Sequence, residues 1–95
     1  MIAHLQGTLR QKREDRVLVG MQGVVYEVLV PAVVMRAIEQ DHLKEGDVIS
    51  LVTYHYHQVE PSRSIPVLIG FLNEIEREFF EKFITVSGVG PKAAC

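Results

Sequence analysis

Hydrophobic and polar residues alternate over residues 2–12, with Leu5 and Leu9 on one side and polar side chains between them. This spacing predicts a half-buried strand. Gly7 in the middle of the run predicts a bulge or a sharp bend, which small barrels use to close. Residues 16–21 and 24–30 are the next two strand-like runs, each preceded by a short turn. The first thirty residues therefore predict a three-stranded meander.

The pattern becomes helical after this meander. From Pro31 to about residue 41, Val34, Ala37 and Ile38 fall on one side, and proline suits the first turn of a helix. Because Val33 and Val34 lower the helix propensity, we expect this helix to be short.

Two further strands are predicted after a turn at residues 45–47. The first covers residues 48–57, and a loop over residues 58–64 separates it from the second, at about residues 65–69. A turn at Gly70 then ends the sheet. Three strands, a short helix and two strands is the order of an OB-fold, a five-stranded Greek-key barrel. We therefore expect a mainly β protein built on this barrel.

The last quarter of the chain predicts an amphipathic helix. Asn73 can accept hydrogen bonds from first-turn amides while Glu76 reaches back, a combination typical of a helix start. Apolar side chains then recur at helical spacing and form one stripe. They are Ile75, Phe79, Phe80, Phe83 and Ile84. We expect the phenylalanines of this stripe to pack on the barrel or on a neighbouring chain.

Glycine and proline end this helix near Ser87, because Gly88 and Gly90 favour open backbone and Pro91 cannot continue a helix. Gly90 has no side chain, so a polyanion could approach its backbone closely. Pro91 begins a new helix, whose first amides carry a partial positive charge, and Lys92 would add a full charge. Taken without its neighbours, this turn is more typical of a plain connection between two helices, and a phosphate site is the alternative.

Two separated motifs resemble the RuvA family of bacterial proteins that bind Holliday junctions. Gly-Val-Gly-Pro-Lys at residues 88–92, after Phe71 and the Glu-Arg pair at residues 76–77, is similar to the family's first helix-hairpin-helix. Met-Ile at the start and Gly-Val-Val-Tyr-Glu-Val at residues 23–28 are similar to its N-terminal OB-fold. The resemblance covers essentially the whole chain. It implies an OB-fold domain for oligomerisation and junction binding at residues 1–70, and the first helix and hairpin of a truncated helix-hairpin-helix domain at residues 71–95.

The resemblance also implies a function in homologous recombination, DNA repair and the SOS response. The chain would be a non-catalytic subunit that binds four-way junction DNA for branch migration, as a homotetramer or, on DNA, an octamer. The ATPase of this helicase would be the separate RuvB motor. A C-terminal RuvA domain outside these 95 residues would bind RuvB, and the RuvC resolvase would be a further partner. The phosphate-binding residues would be Gly88, Val89, Gly90 and Lys92.

The family also carries an acidic pin, two adjacent carboxylates in the loop after the fourth strand. This sequence has Gln-Val-Glu-Pro-Ser-Arg-Ser at residues 58–64, which is longer than expected and has Glu60 as its one acid. Glu60 is therefore the candidate for a pin at the junction centre. Arg63 beside it would attract a phosphate instead of repelling one.

Four cations cluster about the first hairpin, Arg10, Lys12, Arg13 and Arg16, and the first three are candidates for secondary DNA contacts. The favoured interpretation is a solvated turn in which Glu14 and Asp15 supply the counter-charge. In the family that the chain resembles, the DNA lies mainly against the hairpin domain, which also favours the solvated turn.

Tyr54 and Tyr56 fall on one side of the fourth strand. They could stack unpaired bases, as in a single-strand-binding OB-fold, or serve as core or interface residues. His55 and His57 fall on the other side near Glu60, but no second His or Cys pair follows at a fitting distance, so we expect no metal.

Charge and composition limit the remaining interpretations. Residues 1–70 contain 7 Lys and Arg and 8 Asp and Glu, and residues 71–95 contain 3 Lys and Arg and 4 Asp and Glu. Neither part is therefore basic. DNA contacts must then be local and strengthened by several copies of the chain. No nucleophile–base pair or phosphate loop occurs, so we expect neither catalysis nor a cofactor. An oligomerising barrel without DNA binding is the structural alternative.

The chain has one cysteine, Cys95, and therefore no intrachain disulfide. It has no apolar run of about 18 residues in length, and its start lacks the basic and apolar segments of a secretion signal. We therefore expect a cytoplasmic protein without membrane contact. Only four residues follow Pro91. We therefore expect a longer gene product or a truncated form, and weak junction binding by this fragment alone.

Overall fold

The computed structural model describes residues 2–60, 63–88 and 90–91, and the side chains of these except for residues 58–60 and 63–65. In chain order its elements are β1 (His4–Lys12), β2 (Arg16–Met21), β3 (Val24–Leu29), α1 (Ala32–Gln40), β4 (Val48–Glu60), β5 (Arg63–Phe71) and α2 (Glu74–Ser87). Neither helix in this described part has the length and apolar character needed to cross a membrane.

The strands form a closed barrel in the order β1-β2-β3-β5-β4. The first three strands pair as an antiparallel meander, and β1 also pairs with β4. The β3–β5 contact is parallel and short, because it comprises only Val28 opposite Leu68 and Leu29 opposite Ile69. The predicted OB-fold barrel, with a helix between the third and fourth strands, is confirmed.

The core lies inside this barrel. Its fully buried side chains come from the strands and from α1, where Val34 and Ile38 are buried together with Met35. The other large buried members are Leu9, Val17, Val19, Val28, Leu51 and Ile69. Because no member of this innermost set belongs to α2, the barrel has a core of its own among the described residues.

Gly7 has a different role from the predicted bulge. It pairs regularly with Ile49 on β4, and the irregularity in β1 lies between Leu9 and Gln11. A Cβ atom added to Gly7 would lie 2.5 Å from the carbonyl oxygen of Gly20 on β2. The glycine is therefore required by the close approach of two backbones, and the predicted bulge at this residue is wrong.

The predicted turn at Gly70 is also wrong. Gly70 lies within β5 opposite Thr53, and a Cβ atom there would lie 2.8 Å from Cγ1 of Val28. The small residue lets β5 pack against the barrel interior. The chain leaves the sheet after Phe71, at Leu72 and Asn73.

The loop predicted over residues 58–64 is largely strand. β4 continues to Glu60 and β5 begins at Arg63, and these two residues are opposite each other in the register. β1 pairs with β4 up to Val52 and β3 pairs with β5 at Leu68 and Ile69, so β4 beyond His55 forms a two-stranded ribbon with β5. Backbone pairing therefore continues through residues whose polar side chains resemble those of a loop.

Candidate functional site

The start of α2 is fixed by reciprocal hydrogen bonds. The amide nitrogen of Glu76 donates to Oδ1 of Asn73 over 2.9 Å, and Oε1 of Glu76 accepts from the amide nitrogen of Leu72 over 3.0 Å. The predicted helix start at Asn73 is confirmed, with the carboxylate reaching one residue further back than in the usual capping box. These bonds fix the first turn of α2 directly after β5.

The apolar stripe of α2 is only partly in contact with the barrel. Phe80 is buried, and its ring centroid lies 5.1 Å from that of Phe71 and 5.8 Å from that of Tyr54. Phe79 is 73% exposed and Phe83 is 46% exposed. Packing on the barrel is therefore confirmed for Phe80, and packing of Phe79 and Phe83 on a neighbouring chain stays a prediction.

These exposed side chains form one wall of an apolar groove between α1 and α2. The groove has a volume of about 460 Å³. Its lining is Pro31, Val33, Val34, Phe71, Ile75, Glu76, Phe79, Phe80 and Phe83. The carboxylate of Glu76 already accepts the Leu72 amide, so the groove presents a mainly apolar surface.

The glycine turn lies at the end of α2. The helix ends at Ser87, as predicted, and Gly88 follows in the left-handed conformation with φ 74° and ψ 6°. Gly88 and Gly90 are exposed, and a Cβ atom added to either would have no neighbour within 4 Å. Val89 and Lys92, the other predicted phosphate-binding residues, lie outside the described residues. The described part of the turn is therefore open to a large ligand.

Arg77 of α2 is paired with two carboxylates of the same helix. Nη2 of Arg77 lies 2.6 Å from Glu74, and Nε of Arg77 lies 3.9 Å from Glu81. The last turn of the helix carries no basic residue. A phosphate at the glycine turn would therefore receive little attraction from the side chains of α2.

The three candidate cations near the first hairpin belong to a different part of the barrel. Arg10 is exposed on β1, with its aliphatic stem over Gly20, whereas Lys12 is half-buried at the end of the same strand. Nη2 of Arg13 lies 3.4 Å from Oε1 of Gln11. Because α2 packs on β4 and β5, the structure does not place these cations on the elements that hold the glycine turn.

Arg16, which follows these cations, is neutralised locally. Its guanidinium lies 2.9 Å from Asp15 and 3.3 Å from Glu27. The hydrogen bond to Asp15 raises the pKa of Arg16 above its ordinary value. Burial opposes this effect, and the hydrogen bond to Glu27 and the charges of both carboxylates add to it. This pairing matches the solvated-turn alternative for Asp15 and leaves Arg16 a weak candidate for a phosphate contact.

The other predicted residues lie on β4. Glu60 is its last residue, and the side chain of Glu60 lies outside the described part. Tyr54 and Tyr56 are half-buried, with ring centroids 5.9 Å apart, and Tyr54 also contacts Phe80. Both tyrosines pack against the core, so they do not form the exposed platform that stacking of unpaired bases requires.

His55 and Thr53 of β4 hold the N-terminal segment. The rings of His55 and His57 stack with centroids 5.4 Å apart, and Nδ1 of His55 accepts from the amide nitrogen of Ile2 over 3.2 Å. The hydroxyl of Thr53 donates to the carbonyl oxygen of Ile2 over 2.6 Å. Among the described residues, no group of three or more His, Cys, Asp or Glu side chains could hold a metal. Sequence periodicity gave no indication of this tether, because its partners are about fifty residues apart.

Comparison with known proteins connects the chain to one family. A family model described as the RuvA N terminal domain matches residues 1–60. A protein of Desulfosudis oleivorans is 46% identical over 94 residues, which are 99% of this chain and 44% of that protein. A protein of Desulfatibacillum aliphaticivorans is 42% identical over 91 residues, 96% of this chain and 42% of the relative. A third, from Acidobacterium capsulatum, is 40% identical over 94 residues, 99% of this chain and 43% of the relative.

All three relatives are named Holliday junction branch migration complex subunit RuvA. The chain spans less than half the length of each, since the shares covered are 44%, 42% and 43%.

Proposed function

Because this chain belongs to the RuvA N-terminal domain family, we propose that it is the junction-binding, non-catalytic part of a Holliday junction branch migration complex. The name shared by its relatives supports this proposal. Residues 1–70 then serve as the oligomerising barrel, and residues 71–95 as the first helix and hairpin of a DNA-binding domain. The ATPase belongs to the separate RuvB motor, RuvC is the resolvase partner, and the complex acts in the cytoplasm.

The observation that carries the proposal is the open glycine turn after α2. Gly88 ends the helix in a left-handed conformation that other residues adopt only with strain, and Gly90 is exposed, with no atom beyond its chain neighbours within 4 Å of where a Cβ atom would lie. A phosphate can therefore approach the backbone at Gly90 more closely than it could approach a residue with a side chain. We propose contacts from the backbone at residues 88–90 and from the ammonium group of Lys92.

Charge explains why this function needs several copies of the chain. The net charge is −2, so a single protomer has no general attraction for DNA. Four turns arranged in a homotetramer would bind the four arms of one junction, and each contact after the first would then form within the same complex. Because the contacts are to phosphates, recognition would follow the shape of the junction and not its base sequence.

A charge-reversal pair tests the phosphate site. We expect Lys92→Glu to lower the affinity for a labelled four-way junction, because it places a carboxylate beside the proposed phosphate position. Lys44→Glu is the matched control, since Lys44 is exposed in the connection between α1 and β4 and the charge change is identical. Fluorescence anisotropy at several salt concentrations measures both variants, and thermal unfolding verifies that both remain folded.

The proposal fails if the two variants have the same affinity, or if the unmodified chain binds a four-way junction no better than a duplex of equal length. Native mass spectrometry with and without the junction measures the number of copies in the complex. A tetramer that does not bind DNA would support the oligomerising barrel instead.

A further inference from the structure

We propose that Phe80 is a positioning residue, the anchor through which α2 is held on the barrel and the direction of the glycine turn is set. The effect on DNA binding rests on the proposed function, whereas the anchoring itself does not. Phe80 makes no contact with the turn, so its influence would act through the orientation of the helix.

Burial along α2 supports a single anchor. The structure describes every residue of this helix, and among them Phe80 alone is buried, with 6% of its surface exposed. Its ring packs against Phe71 of β5 and against Tyr54 of β4, so it joins the two strands that α2 crosses. Ile84, one turn further along, is only half-buried.

The remaining attachments of α2 are weaker or local. The chain enters the helix through Leu72 and Asn73, whose hydrogen bonds with Glu76 fix the first turn but lie within the connection itself. The ion pairs of Arg77 join it to Glu74 and Glu81 of the same helix and not to the barrel. Without the Phe80 ring, α2 would therefore remain joined to the barrel through the connection at Leu72 and Asn73 and through the half-buried side chain of Ile84.

The length of α2 amplifies any change at the anchor. Gly88 follows Phe80 by eight positions in the sequence, which is about 12 Å along a helix at about 1.5 Å per residue. A rotation of about 20° at Phe80 would displace the turn by about 4 Å over that length. Such a shift is larger than the tolerance of a hydrogen bond to a phosphate, so the anchor controls whether several turns can meet one junction together.

We expect the barrel to fold without this anchor. The fully buried side chains belong to the strands and α1, whereas Phe80 is 6% exposed and joins the core cluster through Phe71 and Tyr54. Phe80→Ala should therefore leave the barrel folded and free the helix. Phe79→Ala removes the same ring from the next position, where 73% of it is exposed, and is the matched control. Phe80→Leu retains an apolar anchor of smaller size.

Two measurements on the 95-residue chain test the inference. Residual dipolar couplings of backbone amides report the orientation of α2 relative to the barrel. We expect one alignment tensor to fit both parts in the unmodified chain, Phe79→Ala and Phe80→Leu, and to fail for α2 in Phe80→Ala. The second measurement is affinity for a labelled four-way junction at low salt. We expect about a tenfold loss in Phe80→Ala if the correct orientation is then populated about a tenth of the time.

The inference is overturned if α2 in Phe80→Ala still fits the tensor of the barrel, or if Phe79→Ala disturbs the orientation equally. It is also overturned if the barrel amides of Phe80→Ala lose their dispersion, because the anchor would then be part of the barrel core. Failure of the unmodified chain to bind the junction would refute the proposed function instead, and the couplings would still decide the role of Phe80.

Discussion

The close approach of β1 and β2 at Gly7 gives a prediction that separates barrel stability from DNA binding. In Gly7→Ala, the new methyl group would lie 2.5 Å from the carbonyl oxygen of Gly20 and 3.0 Å from Cγ1 of Val19. The nearer obstacle is backbone, and both strands are held in the barrel by pairing on their other sides. The strands cannot separate without weakening those pairs. We expect a loss near the upper end of the range for overpacking, about 3 kcal/mol.

The control is Gly90→Ala, which introduces the same methyl group where no atom lies within 4 Å. Its unfolding free energy should stay within about 0.5 kcal/mol of that of the unmodified chain. Its affinity for a four-way junction should fall, because the methyl group occupies the proposed path of a phosphate. Gly7→Ala, measured at a temperature where it is folded, should bind the junction normally.

Urea unfolding followed by circular dichroism measures the stability difference. With a slope of about 2 kcal/mol per molar urea, a loss of about 3 kcal/mol lowers the midpoint by about 1.5 M. A midpoint for Gly7→Ala equal to that of the unmodified chain would refute the reasoning. So would an equal loss of stability in Gly90→Ala.

Two further substitutions test local hydrogen bonds. Asn73→Ala removes the cap of α2 and should weaken the helix by about 1 kcal/mol, which faster hydrogen exchange of its first-turn amides would report, and unchanged exchange would contradict. Thr53→Val leaves the carbonyl oxygen of Ile2 without its hydroxyl donor and should cost about 1–2 kcal/mol in urea unfolding. Thr85→Val is its control, because that hydroxyl is exposed and donates within its own helix, and an equal cost in both variants would contradict the assignment.

The meander and the start of α2 could be predicted from the sequence because their causes are local. The second strand was predicted over residues 16–21 and is observed as Arg16–Met21, since alternation and a short turn determine both of its ends. The cap at Asn73 depends on residues only three positions apart, so its pattern is visible in the sequence itself. Fold class follows from the order of such elements.

The errors concern features whose cause lies elsewhere in the fold. Gly7 and Gly70 were assigned to a bulge and a turn, but each is required by an atom of another strand, the carbonyl oxygen of Gly20 and the side chain of Val28. A glycine in a strand does not by itself indicate which of these causes applies. The continuation of the ribbon beyond His57, through residues assigned to a loop, has a related cause, because backbone pairing does not require apolar side chains.

The candidate site was predictable only in part. Helical periodicity placed Phe79, Phe80 and Phe83 on one stripe, but it could not show that only Phe80 lies over the barrel. That depends on the angle at which α2 leaves β5, which the periodicity does not contain. In the same way, alternation placed Tyr54 and Tyr56 on one side of β4, and the packing of α2 determined that this side is covered.

The electrostatics of α2 lead to a prediction about salt. The helix carries four carboxylates against Arg77 and Lys82, and its C-terminal end, which adjoins the glycine turn, has a partial negative charge and no basic residue in its last turn. Lys92 is then the one full positive charge that each turn can contribute. A cation that neutralises one phosphate contributes about −0.9 to the slope of log affinity against log salt, so four turns should give about −4. This slope is tested by measuring the junction affinity of the unmodified chain and of Lys92→Glu between about 20 and 200 mM salt, which is a tenfold range. A slope much steeper than −4 would mean that cations such as Arg10 and Lys12 also contact the DNA, and that the glycine turns are not the main site of contact.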